Sequence, residues 1–304
     1  MSRVLIVAHR QRAEAAALAR QASTWLTARG HHVWMLPDDA SALDMADLAS
    51  DEAASTADLV VSLGGDGTML RSVQLLGGAA VPIVGVNVGL LGYLTEVEPP
   101  AMLPAIERSL QGQGPLGDDG AAGDDTDVSN DGDEWHVEER MLLDVTVHGR
   151  DGRPEQHFQA LNEGVVEKLE PGHTVRLLVR IDGVAFTSYA ADGLIVATPT
   201  GSTAYSLSAR GPVVSPRHRA LLLTPVSPHM LFDRSLVLDP EEWVEVEVAG
   251  HRPVVLSVDG QQTVTLTEGD VVSFAASSAT AQFVRFGRHR FHRILKSKFG
   301  LADR

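Results

Sequence analysis

The chain has 304 residues, 44% of them apolar, which is enough to bury two modest hydrophobic cores. It contains no Cys, so disulfides, thiolate metal sites and a cysteine nucleophile are excluded, and a bound metal needs oxygen or imidazole ligands. No apolar run approaches the roughly 20 residues of a membrane span, and the first residues lack a signal-peptide pattern. We therefore expect a cytoplasmic protein without a membrane partner.

The formal net charge of −15 is concentrated in one segment. Ten Asp and Glu residues lie between Ser109 and Glu139, with no Lys or Arg among them. Residues 112–134 are also rich in Gly, Asp and Ala and have few large apolar side chains, so burial cannot offset the entropy of ordering them. We predict a disordered acidic loop there. A metal-binding loop is the alternative, although the aspartates lack the spacing of a calcium loop.

The first hundred residues alternate short apolar runs with helical patterns. The predicted strands are 4–8, 32–36, 59–63 and 83–86, and the predicted helices are 12–29, 69–76 and 102–110. A repeated strand-helix-strand order predicts a Rossmann-like parallel sheet covered by helices on its faces. Ligands of such sheets bind at the carboxyl ends of the strands.

After the acidic segment the pattern changes to β-branched, alternating runs. The predicted strands are 141–147, 174–181, 194–197, 221–224, 243–248, 254–258 and 271–274, with turn signals at Asp151-Gly152, Asp182-Gly183 and Asp259-Gly260. Residues 282–301 return to a strand followed by a basic helix. We therefore predict an α/β domain at 1–135, a β-rich domain at 136–285, and a C-terminal segment, 286–304, that packs on the first domain.

A glycine-rich turn follows the third predicted strand: Gly64-Gly65-Asp66-Gly67-Thr68. Glycines bring backbone N–H groups close to a ligand, and the N-terminus of the following helix favours anions. A carboxylate beside a phosphate is repulsive unless it orients Mg²⁺ or accepts the proton of an attacking hydroxyl, which makes Asp66 a candidate for either role. The turn therefore indicates phosphoryl transfer. The alternative is a plain tight turn with Thr68 as the helix cap.

Other function classes lack their motifs. The chain has no Gly-Lys dipeptide, which excludes a Walker loop. The Gly65-Asp66-Gly67 turn is followed by Met69 and Leu70 and so does not complete a GxGxxG pattern, which argues against a standard dehydrogenase, and the lack of a GxSxG pattern argues against a serine hydrolase. The basic residues between Arg285 and Lys298 are not continued by a basic stripe with interleaved aromatics, so we expect no nucleic-acid partner.

A second segment, 191–208, combines small hydroxyl residues, glycines and Tyr205 at a strand-to-helix corner. Small residues let a ligand approach the backbone, hydroxyls bind sugar or amide groups, and the Tyr205 ring offers a stacking surface. The segment therefore predicts a nucleoside pocket. A helix cap with a turn is the alternative.

In these two segments and several others, the chain resembles the NAD kinases over nearly its whole length. The matching segments are 64–68, 87–95, 162–163, 192–208, 224–229 and 286–291. Gly-Gly-Asp-Gly alone is shared with lipid kinases and resembles the phosphofructokinase loop, whereas the Thr-Pro-Thr-Gly-Ser-Thr-Ala-Tyr-Ser sequence is far more specific. The resemblance implies a phosphofructokinase-like first domain, a β-sandwich second domain and a homo-oligomer, either a dimer or a tetramer.

The resemblance also implies a reaction: transfer of a phosphoryl group from ATP or polyphosphate, with a divalent metal such as Mg²⁺, to the ribose 2′-hydroxyl of NAD. Asp66 is then the expected general base, and Gly64, Gly65, Gly67 and Thr68 form the phosphate loop. Arg71 lies with Gly67 beside the dinucleotide or donor phosphates. Further expected NAD contacts are Tyr93, Asn162, Glu163, His173, Asp192, Thr200, Thr203, Ala204, Tyr205, Ser206, Leu207, Ser208 and Gln261.

The chain departs from the family pattern at two positions. Arg210 stands where a glycine is expected after the Tyr-Ser segment, so a long cation either clashes in a tight turn or contacts a phosphate. Ala190 stands where some members have Arg. Two other functions stay open: a lipid or sugar kinase of the same superfamily, and a dinucleotide-binding sensor without catalysis.

Overall fold

A computed structural model describes residues 1–89, 92–111, 135–150, 152–287 and 291–301. The chain divides into two compact units, the first from Met1–Glu139 and Ala281–Arg304, the second from Arg140–Thr280. The sequence pattern had placed these boundaries at 135/136 and 285/286. They differ because two long strands, Trp135–His148 and Val271–Phe286, continue across the divisions. The acidic loop predicted at 112–134 lies outside the described residues.

The first unit is a parallel sheet with helices. Its strands are β1 (Arg3–Ala8), β2 (His32–Trp34), β3 (Leu59–Gly64) and β4 (Pro82–Asn87), and its helices are α1 (Ala13–Ala28), α2 (Pro37–Ala42), α3 (Asp66–Leu76) and α4 (Met102–Leu110). The strand order is β2-β1-β3-β4, and residues 282–283 pair in parallel with the start of β4. All pairs are parallel, which places the carboxyl ends of β1, β3 and β4 at one edge.

The core of the first unit explains its strand sequences. Every residue of β3 is buried, as are five of the six residues of β1, because helices cover both faces of the sheet. Leu18, Ala22 and Leu26 of α1 pack against this sheet with the spacing of one helix face. The predicted parallel α/β arrangement is therefore confirmed.

The second unit is built almost entirely from antiparallel strands. The described residues contain two further α-helices, α5 (Tyr205–Ser208) in this unit and α6 (Phe291–Lys298) in the first. The strands are β5 (Trp135–His148), β6 (Gln156–Ala160), β7 (Glu163–Lys168), β8 (Val175–Ile181), β9 (Val184–Ala191), β10 (Gly193–Ala197), β11 (Leu221–Val226), β12 (Leu236–Leu238), β13 (Val244–Val248), β14 (Val254–Val258), β15 (Gln261–Leu266) and β16 (Val271–Phe286).

These strands form a sandwich. One sheet has the order β12-β11-β10-β7-β14-β15, and the other contains β9-β8-β13 and the first part of β16, with β5 and β6 beside it. One hydrophobic cluster joins Leu177 and Val244 of the second sheet to Val166, Leu194 and Leu256 of the first. The predicted β-sandwich is therefore confirmed. Among the described residues, no helix is both long and apolar enough to cross a bilayer.

Several element predictions were wrong. The strands β6, β7, β9, β12 and β15 were not predicted, because β6, β9 and β15 are exposed over much of their length, β12 has only three residues and β7 has few apolar residues. Their backbone pairing with neighbouring strands, rather than a hydrophobic period, holds them in place. The helix predicted from residue 69 begins at Asp66 instead, and the strand predicted at 271–274 continues to Phe286.

Candidate functional site

The glycine-rich turn joins the carboxyl end of β3 to the first residue of α3. Gly65 is the N-cap residue, in an extended conformation, and its carbonyl accepts the N–H groups of Thr68 and Met69 at 3.0 and 3.2 Å. A side chain at Gly64 would overlap that of Thr68, which is buried in the first helical turn. Thr68 therefore does not cap the helix, and the close packing explains the glycine.

The Asp66 carboxylate is fixed by the segment that follows β4. Its Oδ2 accepts the N–H of Tyr93 and its Oδ1 the N–H of Leu94, both at 2.9 Å. A side chain at Gly92 would overlap Asp66 Oδ1, so glycine is needed for this approach. Each oxygen keeps a lone pair for a ligand or a proton. Burial, and then the Asp66 charge, raise the pKa of the Tyr93 hydroxyl.

An open cavity of about 460 Å³ lies in front of this turn, wholly within the first unit. Three arginines and one carboxylate line it, so its charge suits an anion. The lining residues are His9, Arg10, Gln11, Arg12, Gly65, Asp66, Gly67, Thr68 and Arg71. The structure therefore brings Arg71 and the phosphate loop together, and it adds the turn between β1 and α1, which sequence reasoning missed.

Arg71 is held by a residue that the sequence did not indicate. Its Nη2 donates to Asp39 Oδ2, while Arg10 Nε donates to Asp39 Oδ1 at 2.7 Å. The Asp39 side chain is only 1% exposed. Asp39 follows Asp38 in a short polar stretch that reads as solvent-exposed, and no local pattern marks one of the two as buried.

In the second unit, Asn162 and Glu163 lie where β7 begins. Asp259, in the turn between β14 and β15, accepts the backbone N–H groups of Leu161, Asn162 and Glu163 at 2.9, 2.7 and 3.2 Å. The Asp259 side chain thus fixes the backbone of the Asn-Glu pair. Sequence reasoning recognised Asp259 only as a turn residue, and missed this role.

Glu163 is a buried acid with one oxygen that makes no hydrogen bond within the described part of the fold. It is 5% exposed, and among the described residues its Oε2 has no hydrogen-bond partner. Burial and the charge of Asp259 raise the pKa of Glu163 to about 8, although the N–H of Tyr205 donates to the carboxylate and opposes the shift. A buried polar atom without a partner is costly, which points to a ligand group at this oxygen.

The predicted nucleoside segment packs against the same pair. The N–H of Thr198 donates to the carbonyl of Asn162 at 2.8 Å, and its hydroxyl to that of Leu161 at 2.6 Å. A side chain at Gly201 would overlap the Asn162 backbone. The structure therefore brings the Asn-Glu pair and the 198–205 corner together, and Tyr205 stays 39% exposed beside them.

Most hydroxyls of this corner are used within the fold. Ser206 is fully buried, with its Oγ 3.2 Å from Thr224 Oγ1. Thr203 donates to the carbonyl of Thr200 at 3.3 Å, and Thr200 Oγ1 accepts from Arg140 at 3.4 Å. Ser208 is exposed, whereas Ala204 and Leu207 are partly buried.

The remaining predicted contacts lie at three places of the second unit. Asp192 precedes β10 and pairs with Lys168 at 2.6 Å, and its charge contributes to a raised pKa of the Tyr205 hydroxyl, after burial and Glu167. Gln261 is the first residue of β15, directly after the Asp259 turn. His173 is exposed in the loop before β8, a strand of the other sheet.

Known families match both units. The ATP-NAD kinase N-terminal domain matches residues 4–113, and the ATP-NAD kinase C-terminal domain matches residues 161–286. The chain belongs to the NAD kinase family. It is 41% identical to the NAD kinase of Heliobacterium modesticaldum over 79% of this chain and 78% of the relative. It is 36% identical to that of Moorella thermoacetica, over 98% and 89%.

Solved structures agree with this fold. Yeast NADH kinase complexed with NADH has a TM-score of 0.85 at 23% identity, covering 100% of this chain and 89% of that one. An NAD kinase from Archaeoglobus fulgidus in complex with ATP has a TM-score of 0.69 at 24% identity and covers both chains fully. The predicted fold and the prediction of an NAD kinase are confirmed, and the matches do not support the alternative of a lipid or sugar kinase.

The two departures from the NAD kinase pattern have local structural consequences. Arg210 has a left-handed backbone, with φ of 68°, and an exposed side chain, so the tight turn forms without a clash. The following Gly211 packs on Ser206, where a side chain would overlap the serine hydroxyl. Ala190 lies in β9 and brings no charge, and its carbonyl accepts the N–H of His229 at 2.7 Å.

Proposed function

We propose that the chain phosphorylates the 2′-hydroxyl of the adenosine ribose of NAD, giving NADP, with ATP or polyphosphate as the donor. The observation that carries this proposal is the Asp66 carboxylate, held by two backbone N–H groups beside a cavity with three arginines. A fixed base next to a cationic phosphate site is what hydroxyl phosphorylation requires. The ATP bound to the Archaeoglobus fulgidus relative supports ATP as the donor.

We assign recognition of the adenosine part of NAD to the Asn162-Glu163 corner. The unpaired Oε2 of Glu163 offers a buried hydrogen-bonding group, and the partly exposed Tyr205 ring offers a stacking surface. Ser206 has its hydroxyl engaged inside the fold, so its contribution is to shape the corner. The NADH bound to the yeast relative is consistent with a dinucleotide as the acceptor.

In the proposed step, the ribose 2′-oxygen attacks the terminal phosphorus of the donor. A new O–P bond forms while the bond to the bridging oxygen breaks, and the shortened donor leaves with those electrons. The hydroxyl proton passes to the Asp66 carboxylate. The arginines and the N-terminus of α3 balance the charge on the transferred phosphoryl group, and positioning supplies most of the rate.

A divalent metal such as Mg²⁺ fits this site as a partner of the donor phosphates. No group of three or more acidic or histidine side chains forms a metal cage among the described residues. Mg²⁺ commonly uses one or two carboxylates together with substrate phosphates and water, and Asp66 keeps a free lone pair on each oxygen. A bound Mg²⁺ would supply charge neutralisation of the donor.

The proposal is tested by incubating the purified chain with NAD, Mg²⁺ and ATP or polyphosphate, and detecting NADP with an NADP-specific dehydrogenase. In Asp66→Asn, loss of the base should lower kcat by roughly 10² to 10⁴-fold. If Asp66→Asn were as fast as the parent, Asp66 would not be the general base. A parent chain that binds NAD and ATP without making NADP would instead favour the sensor.

The assignment of the adenosine corner has its own test. Removing the Tyr205 ring by Tyr205→Ala should raise the KM for NAD by roughly tenfold, with a smaller effect on the KM for ATP. A change confined to the KM for ATP would refute this placement.

We further propose that the protein self-associates and works in the cytoplasm, where NAD and ATP are available. The support for self-association is the edge strand β9, on which Val184 and Phe186 are 71% and 41% exposed. Phe186 also stacks edge-on against the partly exposed Phe232. Exposed apolar side chains next to a strand edge that is unpaired within the described part of the chain favour an interface. Light scattering on the purified chain measures its mass directly.

A further inference from the structure

The side chain of Asp39 joins two arginines of the cation-lined cavity. Its Oδ1 accepts from Arg10 Nε at 2.7 Å and its Oδ2 accepts from Arg71 Nη2. The carboxylate is 1% exposed, whereas the Arg10 and Arg71 side chains are 44% and 25% exposed. Asp39 therefore does not line the cavity itself, whereas Arg10 and Arg71 do.

The Asp39 carboxylate reduces the repulsion between the Arg10 and Arg71 guanidinium groups. Two guanidinium groups on one wall repel each other, and a buried carboxylate is costly without a partner, so the three groups stabilise each other only as a set. The set keeps one net positive charge. The neighbouring Asp38, by contrast, is 83% exposed and lies 3.5 Å from Arg10, so water screens it.

One donor of this arginine pair is not used within the described part of the fold. Arg71 Nε is buried and has no hydrogen-bond partner among the described residues. Arg12, the third arginine of the wall, already donates to the carbonyl of Val88. Planar guanidinium groups held by one carboxylate are pre-organised to bind oxyanions, because little side-chain entropy is lost on binding.

We propose that Asp39 is a positioning residue that presents Arg10 and Arg71 as a paired clamp for the phosphate chain of the phosphoryl donor. The inference rests on the proposed function and deepens it. The donor is favoured over NAD because a triphosphate or polyphosphate carries more charge than the NAD pyrophosphate, which has one negative charge on each phosphate. A cluster of three arginines beside a helix N-terminus matches the more highly charged chain.

The test uses the full chain and inorganic tripolyphosphate as the probe. In Asp39→Asn the arginines lose their shared charge partner, and tripolyphosphate affinity measured by calorimetry should fall about tenfold. The KM for ATP should rise by a similar factor, while kcat and the KM for NAD change less than about threefold. The exposed neighbour provides the matched control: Asp38→Asn should keep both affinities within about twofold of the parent.

Arg10→Gln is the second variant, and it keeps the proposal testable if Asp39→Asn fails to fold. It removes a half-exposed cation and leaves the buried Asp39 carboxylate paired with Arg71. Unchanged tripolyphosphate affinity in Arg10→Gln would overturn the clamp. Equal rises of the KM for ATP and the KM for NAD in this variant would also overturn it. If the parent makes no NADP but Arg10→Gln still loses tripolyphosphate binding, the proposed function fails and the clamp stands. If the parent makes NADP and Arg10→Gln binds tripolyphosphate as tightly as the parent, only the clamp proposal fails.

Discussion

Replacing Glu163 by Gln should change how the stability of this protein depends on pH. The variant keeps the shape of the side chain and an oxygen for the N–H of Tyr205, but removes the buried ionisable group. In the parent, burial and Asp259 raise the pKa of Glu163 from 4.5 to about 8. Between these two values the folded chain holds a proton that the unfolded chain has released.

The sign and size of the effect follow from linkage. The contribution of Glu163 to stability is fully present below pH 4.5 and is lost as the pH rises through about 8. The free energy of unfolding of the parent therefore loses about 1.4 kcal/mol per pH unit from this group, or about 3 kcal/mol between pH 5 and pH 7. The variant lacks this ionisable group. Its free energy of unfolding, relative to that of the parent, should therefore increase as the pH rises.

Urea unfolding followed by circular dichroism at pH 5, 6, 7 and 8 measures this difference. A difference curve that stays flat across this range would refute the raised pKa and its assigned cause. Glu167→Gln, a less buried acid on the same strand, is the control. An equally steep curve for that variant would assign the effect to the strand instead of to Glu163.

Two predictions concern the backbone, one at Arg210, where the family pattern has a glycine, and one at Gly92. Arg210 has a left-handed backbone, so Arg210→Val should destabilise the fold by about 1 to 2 kcal/mol, whereas Arg210→Gly should be neutral or stabilise it by up to about 1 kcal/mol. Thermal melts of both variants measure this, and equal melting temperatures would contradict it. Gly92→Ala should displace the Asp66 carboxylate and lower kcat by roughly 10²-fold. The control Gly250→Ala, where a side chain meets only ordinary contacts, should keep the kcat of the parent.

The sequence predicted those features whose causes are local. The glycine-rich turn was recognisable because it follows a buried apolar run and opens a helical pattern, and it does join β3 to α3. The hairpin turns were recognisable for a similar reason. Asp182-Gly183 and Asp259-Gly260 both adopt left-handed backbones, with φ of 51° and 74° and of 46° and 77°, which Asp and Gly tolerate better than other residues.

The strands β6 and β9 were missed because much of each strand is exposed, so each has a weak hydrophobic period although it pairs with the strand directly before it. Asp39 and Asp259 were missed for a different reason, which is the distance along the chain to their partners. Asp39 meets Arg71 across 32 residues of chain, and Asp259 meets Asn162 across 97. No local pattern encodes such a partnership.

What the sequence determined by itself was therefore the change from a parallel α/β pattern to a β-rich pattern and the positions of the Asp66 turn and the hydroxyl-rich corner, because these depend on residues close together in the chain. Only the tertiary structure decided which carboxylates are held by backbone N–H groups, which pair with arginines and which have a raised pKa. The ionisation and hydrogen bonding of an acid depend on what surrounds it in space. For Asp39, Glu163 and Asp259, those surroundings exist only once strands and helices distant in sequence have packed together.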